Sequence, residues 1–159
     1  MNDLHDLTLI LQSRFPLVVV ETHEEPRVVA LLEQAANLEG LALFIWSVAD
    51  GLRRSSNSQP ITQTYEFLDA LRHVDKTQQN GVYVMLDAHP YLADPVNARL
   101  VREIANEYNK TARTLVFVSP RIELNAELAR MSARFELSVP GLETIQGLLR
   151  EEMQLWAQQ

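Results

Sequence analysis

The sequence predicts an α/β domain built on a doubly wound, parallel, five-stranded sheet, and three observations point there. Apolar runs alternate with segments of helical period along the chain, which is the pattern of a parallel sheet covered by helices on both faces. The runs Leu17-Val18-Val19-Val20 and Leu115-Val116-Phe117-Val118 carry no alternating polar residues, as strands buried on both sides require. With 159 residues, 47% of them hydrophobic, the chain is long enough for one domain with a proper core and too short for two.

Each element has its own signal. Leu4, Leu7 and Leu11 share one face of a helix expected over residues 4–13. Strands are expected at residues 16–22, 41–48, 81–87, 114–119 and 134–139. The second helix covers residues 24–38, with Val28, Leu31, Leu32 and Ala35 turned inward, and a third covers residues 64–74. Asp94 can cap a fourth helix and Pro95 suits its first turn, with Val96, Leu100, Ile104 and Tyr108 as the apolar stripe. Short and long helices follow at residues 125–131 and 142–156. The stretch from Arg53 to Pro60 is polar and aperiodic, so it reads as a loop.

Charge and composition narrow the function. A net charge of -7 repels phosphate backbones and anionic lipid, so nucleic acid is not an expected partner. Cysteine is absent, which removes thiolate chemistry and Cys-ligated zinc. The first residues, Met1 to Asp6, are acidic and unlike a signal peptide, and no apolar run reaches membrane-spanning length. The expectation is a cytoplasmic domain without a membrane partner.

In open parallel sheets ligands gather at the carboxyl ends of the strands. Here those tips carry Glu21, Thr22, His23, Ser47, Asp50, Asp87, His89, Ser119 and Arg121. A phosphate-binding loop needs glycines whose N–H groups curl around the anion, and a lysine to reach the terminal phosphates. The segment after the first strand, Glu21-Thr22-His23-Glu24-Glu25-Pro26-Arg27, has neither, and the two lysines of the chain, Lys76 and Lys110, fall elsewhere. Glu24 and Glu25 fall in the first helical turn, where their charges complement the helix dipole and take the place of an anion. That helix start reads as self-capped, either by Thr22 and Glu25 at capping-box spacing or by Glu25 with Pro26 in the first position. Glu24 and Glu25 are also candidates for an acidic contact surface.

The third strand ends in Asp87, where P-loop enzymes hold magnesium through water, but Ala88 follows in place of a catalytic glutamate. Glu21-x-His23 and Asp87-x-His89 pair carboxylate with imidazole. If the first and third strands flank the fourth, these tips lie about 9 to 10 Å apart, too wide for shared direct ligation, so no metal site is expected.

The segments Leu17 to Arg27, Trp46 to Gly51, Val84 to Leu92 with Asp94, Pro95 and Arg99, Phe117 to Pro120, and Glu127-Leu128 together resemble the amino-terminal domain of a family of AAA+ ATPases. That family was first catalogued as a hypothetical open reading frame of plastid and cyanobacterial genomes, and it occurs in other bacteria. The resemblance covers nearly the whole chain. It implies a degenerate AAA+-like domain, with strand order 5-1-4-3-2, ahead of an intact ATPase module absent from this chain. ATP and Mg2+ are then expected only in that module. Asp87 becomes a vestigial Walker-B-like carboxylate and Ser119 a sensor-like residue on the fourth strand. Val139-Pro140 resembles the entry to a lid, dividing the chain into a domain at residues 1–140 and a lid-like helix at 141–159. Arg130 and Arg134 fall where AAA+ subunits often present an arginine to a neighbour, which makes them interface candidates.

The expected function is a non-catalytic domain serving assembly, regulation or partner recognition, with an AAA+ ATPase module or a second copy as its protein partner. One alternative is a nucleotide-binding or ATP-hydrolysing domain with an atypical site, its phosphate charge met by Arg27 or by Arg53 and Arg54. A further alternative is a receiver-like phosphoacceptor domain, which shares the layout and the aspartate but calls for a lysine after the last strand, where this chain reads Leu137-Ser138-Val139-Pro140.

Overall fold

A computed structural model describes residues 2–57, 59–138 and 142–157, with backbone alone for 142–149. The chain opens with α1 (Asp3–Gln12), β1 (Leu17–Glu21) and α2 (Glu25–Leu38). A hairpin of β2 (Ala42–Ser47) and β3 (Gly51–Arg54) leads to α3 (Phe67–Lys76) and β4 (Gly81–Leu86). Then come α4 (Pro95–Asn106), β5 (Arg113–Ser119), α5 (Ala126–Arg130), β6 (Ser132–Arg134) and α6 (Leu142–Ala157).

The strands form one six-stranded sheet of order β3-β2-β4-β5-β1-β6. All neighbours are parallel except β2 and β3. Leaving β3 aside, this is the expected order 5-1-4-3-2. A receiver-type sheet would run 2-1-3-4-5, with its first strand beside the second. Here β1 lies between β5 and β6, so the topology excludes that alternative.

Strand residues alternate between two cores because successive side chains point to opposite faces. Leu17, Val19, Tyr83, Met85, Leu115 and Phe117 pack with α3 and α4 on one face. Val18, Val20, Val82, Val84, Val116 and Val118 pack with α1 and α2 on the other. Removing each such side chain from water contributes about 1.5–3 kcal/mol, so the unbroken apolar runs are what hold the central strands.

The sheet departs from expectation at both edges. The predicted loop begins with a strand: Gly51, at φ 72°, turns the chain so that Leu52 pairs with Trp46 and Arg54 with Phe44. Polar residues suit an edge strand, and this edge is covered, since Leu52 N–H donates to Thr64 Oγ1 at 2.9 Å and Ile61 N–H to the Leu52 carbonyl at 2.7 Å. Engaged in this way, Thr64 lies outside α3, which starts three residues later than expected, at Phe67. At the other edge β6 spans Ser132–Arg134 rather than 134–139, and Phe135 extends it by one bond to the Val19 carbonyl.

Asp94 does cap α4, accepting from Val96 N–H at 2.8 Å. The buried face of α4 is Asn97, Val101, Ile104 and Ala105, whereas Val96 of the expected stripe is 56% exposed. Ser58 of the predicted loop, Val139-Pro140 and the domain boundary after residue 140 lie outside the described residues. Among the described residues, no helix is long and apolar enough to cross a membrane.

Candidate functional site

The tip of β5 is the centre of the site, because β1 and β4 both hydrogen-bond to it. Thr22 N–H donates to the Ser119 carbonyl and Asp87 N–H to the Val118 carbonyl, each at 2.9 Å. The residue after β1 and the residue after β4 therefore stand on opposite sides of β5, two strand spacings or roughly 9–10 Å apart. Thr22, His23, Glu25, Asp87, Val118, Ser119 and Pro120 line a cleft of about 220 Å³ between them. A roomier concavity, about 690 Å³, lies along the loop before α3 and involves none of these residues.

Asp87 is exposed and has φ 53°, a left-handed conformation that aspartate tolerates better than most residues. Ala88 behind it is fully buried. Ser119 is 1% exposed, and its Oγ has no hydrogen-bond partner. Glu25 reaches into the same field: partial burial first, then the negative charge of Asp87, raises its carboxyl above the ordinary value. Two carboxylates thus face one cleft although 62 positions of sequence separate Glu25 from Asp87.

The start of α2 is not capped as expected. Glu24 takes the cap position without a side-chain cap bond, and Pro26 lies one residue further in than predicted. Thr22 Oγ1 instead accepts from the Glu24 N–H at 3.0 Å, a local turn rather than a capping box. Glu24 is paired with Arg27 at 3.2 Å, and Arg27 also donates to Asp3 and the Ser138 carbonyl, each at 3.1 Å. Arg27 is therefore engaged in tying α1, α2 and the segment after β6 together. Arg53 and Arg54 lie on β3, four strand spacings or about 19 Å from β1 in the sheet. None of the three arginines proposed for phosphate charge lines the cleft.

The other expected residues scatter. Arg134 ends β6, and its guanidinium pairs with Glu21. Arg130, in the last turn of α5, is exposed and has no ion pair among the described residues. Ser47 and Asp50 hydrogen-bond to each other in the β2–β3 turn, and Arg121 pairs with Glu123 at 2.7 Å. His89 is exposed and does not line the cleft. Among the described residues, no group of three or more histidines, aspartates or glutamates is arranged to hold a metal ion.

Sequence reasoning missed the approach of Glu25 to Asp87 and the role of Arg113. The latter heads an apolar strand yet is 1% exposed, donating to the Val74 and Asp75 carbonyls at 2.6 and 2.7 Å and to Glu107 at 3.1 Å. A lone arginine opening a buried strand was the available signal.

Comparison with known proteins gives this arrangement its relatives. The chain is 26% identical over 132 residues to the "Uncharacterized AAA domain-containing protein ycf46" of Guillardia theta, covering 81% of this chain and 26% of that protein. The protein of the same name from Pyropia yezoensis is 23% identical over 145 residues, covering 89% of this chain and 29% of the relative. The chain thus spans less than a third of the length of these relatives. A family model described as "SpoVK-like AAA ATPase, N-terminal domain" matches residues 3–137, and the chain belongs to that family.

Proposed function

We propose that this domain is the non-catalytic part of an AAA+ ATPase, serving its assembly, regulation or partner recognition, while ATP and Mg2+ bind in a separate module. The carrying observation is the cleft itself: Glu25 and Asp87 line it and no lysine or arginine does. Each phosphate charge placed about 4 Å from such a carboxylate would meet roughly 4 kcal/mol of repulsion at the effective dielectric of a protein surface. The cleft, about 220 Å³, is also below the roughly 300–1,000 Å³ of usual small-molecule sites. Asp87 and Ser119 persist in this reading as parts of an inherited sheet. Arg130 is left as an exposed candidate for contact with that module or with a second copy.

Calorimetric titration of the 159-residue chain with ATP and Mg2+ tests the proposal. No binding is expected up to about 1 mM, a threshold equivalent to only ~4 kcal/mol of affinity. Micromolar binding, or ATP turnover abolished by Asp87→Ala, would overturn it.

A further inference from the structure

We infer that the cleft at the tips of β1, β4 and β5 receives the guanidinium of an arginine presented by a partner polypeptide. This rests on the reading of the domain as an interaction module and names the chemistry of its partner. The carboxylates around the tip divide into two groups. Glu21 is neutralised by Arg134 and Glu24 by Arg27, both within the chain. Glu25 and Asp87, which line the cleft, have no ion pair among the described residues. Their like charges repel each other, and a cation between them would turn that repulsion into two attractions.

An independent observation points to the same place. Ser119 lines the cleft, is 1% exposed and leaves its Oγ without a hydrogen-bond partner. Buried hydroxyls in folded proteins are nearly always paired, so this one, on the wall of the cleft, is open to pairing with a group that enters there. The cleft therefore offers two carboxylates and one hydroxyl to a donor-rich ligand, between the apolar walls of Val118 and Pro120.

Geometry selects the kind of cation. A divalent metal needs several oxygen or nitrogen ligands within roughly 2.0–2.6 Å of one point. The acidic side chains come from either side of β5, and no metal-holding group of three forms among the described residues. A lysine ammonium is a compact point charge. A guanidinium is planar, spreads five N–H donors in a fixed fork, and can bond to separated carboxylates and a hydroxyl at once. The volume of about 220 Å³ suits a side-chain head rather than a nucleotide.

The test is an NMR titration of the uniformly 15N-labelled 159-residue chain with N-acetyl-arginine amide, a cation without a carboxylate. Saturable shifts centred on the amides of Glu25, Asp87 and Ser119 are expected, with affinity at least about fivefold above that for N-acetyl-lysine amide. In the double variant Glu25→Gln, Asp87→Asn, affinity should fall by about tenfold or more, while the remaining spectrum stays that of the folded protein. Free L-arginine separates the two sources of a guanidinium. Its α-ammonium and α-carboxylate offset each other, so it should bind no more tightly than the blocked amide, and tighter binding would indicate a small-molecule ligand and overturn the polypeptide assignment. Equal response to lysine amide, saturation by MgCl2 at lower concentration than by arginine amide, or shifts that survive in the double variant would each overturn the inference. So would the absence of localised shifts. None of these results involves ATP, so the inference can fail while the absence of a nucleotide site stands.

Discussion

Arg113→Met should destabilise the domain by about 2 kcal/mol, and the structure shows why the figure is neither zero nor five. The Arg113 guanidinium is 1% exposed and donates to the Val74 and Asp75 carbonyls at 2.6 and 2.7 Å. Both carbonyls belong to the last turn of α3; that of Val74 also accepts from the Thr77 N–H at 3.1 Å, while helical partners run out beyond it. Two hydrogen bonds from a charged donor contribute roughly 3–6 kcal/mol together. Against this, a buried charge carries a desolvation cost, and replacing such groups by apolar ones of similar volume recovers about 1–4 kcal/mol. The Nε atom of Arg113 is itself without a partner, which adds to that recovery. The net, about 2 kcal/mol, is a sizeable part of a typical stability of roughly 5–15 kcal/mol. Urea unfolding followed by the fluorescence of Trp46, packed edge-on against Phe67 and Tyr91 at 5.2 and 5.8 Å, measures it. Glu107→Gln is the control: its carboxylate is 49% exposed, so losing the pair should cost less than about 1 kcal/mol. If Arg113→Met stays within about 0.5 kcal/mol of the parent, a typical surface-substitution effect, or if Glu107→Gln costs as much, the carbonyl bonds are not what fixes α3.

The cleft makes a prediction about pH. The Glu25 carboxyl is raised from 4.5 in the fold, by burial and then by Asp87. Its contribution to stability is therefore fully present below about pH 4.5 and is lost as pH rises through the higher folded value. The charged groups around it are Asp87 across the cleft and Glu24 and Arg27 on its own segment, with His23 also lining the cleft. Glu25→Gln should accordingly raise the melting temperature near pH 7, with the gain shrinking toward about pH 4. A gain as large at the acid end would contradict the assignment. At the sheet edge, Thr64→Val removes a 1%-exposed hydroxyl that accepts from Leu52 N–H and donates to the Ile61 carbonyl at 2.7 Å. Leaving those backbone groups unpaired should cost about 1–3 kcal/mol, and hydrogen exchange at Leu52 should quicken. Unchanged protection there would mean that the cover over β3 is not held by Thr64.

The central sheet was legible because each of its strands is an uninterrupted apolar run, and burial on both faces leaves no polar alternation to confuse the period. Asp94 and Pro95 announced α4 for an equally local reason, a cap and a first-turn proline side by side. The same local reading failed at Arg53-Arg54, since a polar pair marks an edge strand as readily as a loop. It failed again at Thr22-Glu25, where capping-box spacing occurs but the hydroxyl serves the Glu24 N–H. Val96 shows the limit for helices: the helical period was right, but the buried face is set by which neighbours α4 meets.

By itself, then, the sequence determined the alternation of strand and helix, the identity of the buried strands and the lack of a glycine- and lysine-bearing phosphate loop after β1. These are properties of residues close in the chain. Only the tertiary structure decided that Glu25 and Asp87 share one cleft over a buried, unpartnered Ser119, that Arg134 answers Glu21, and that Arg113 closes the end of α3. Each joins residues far apart in sequence. Strand order and register fix such pairs, and no local periodicity encodes them.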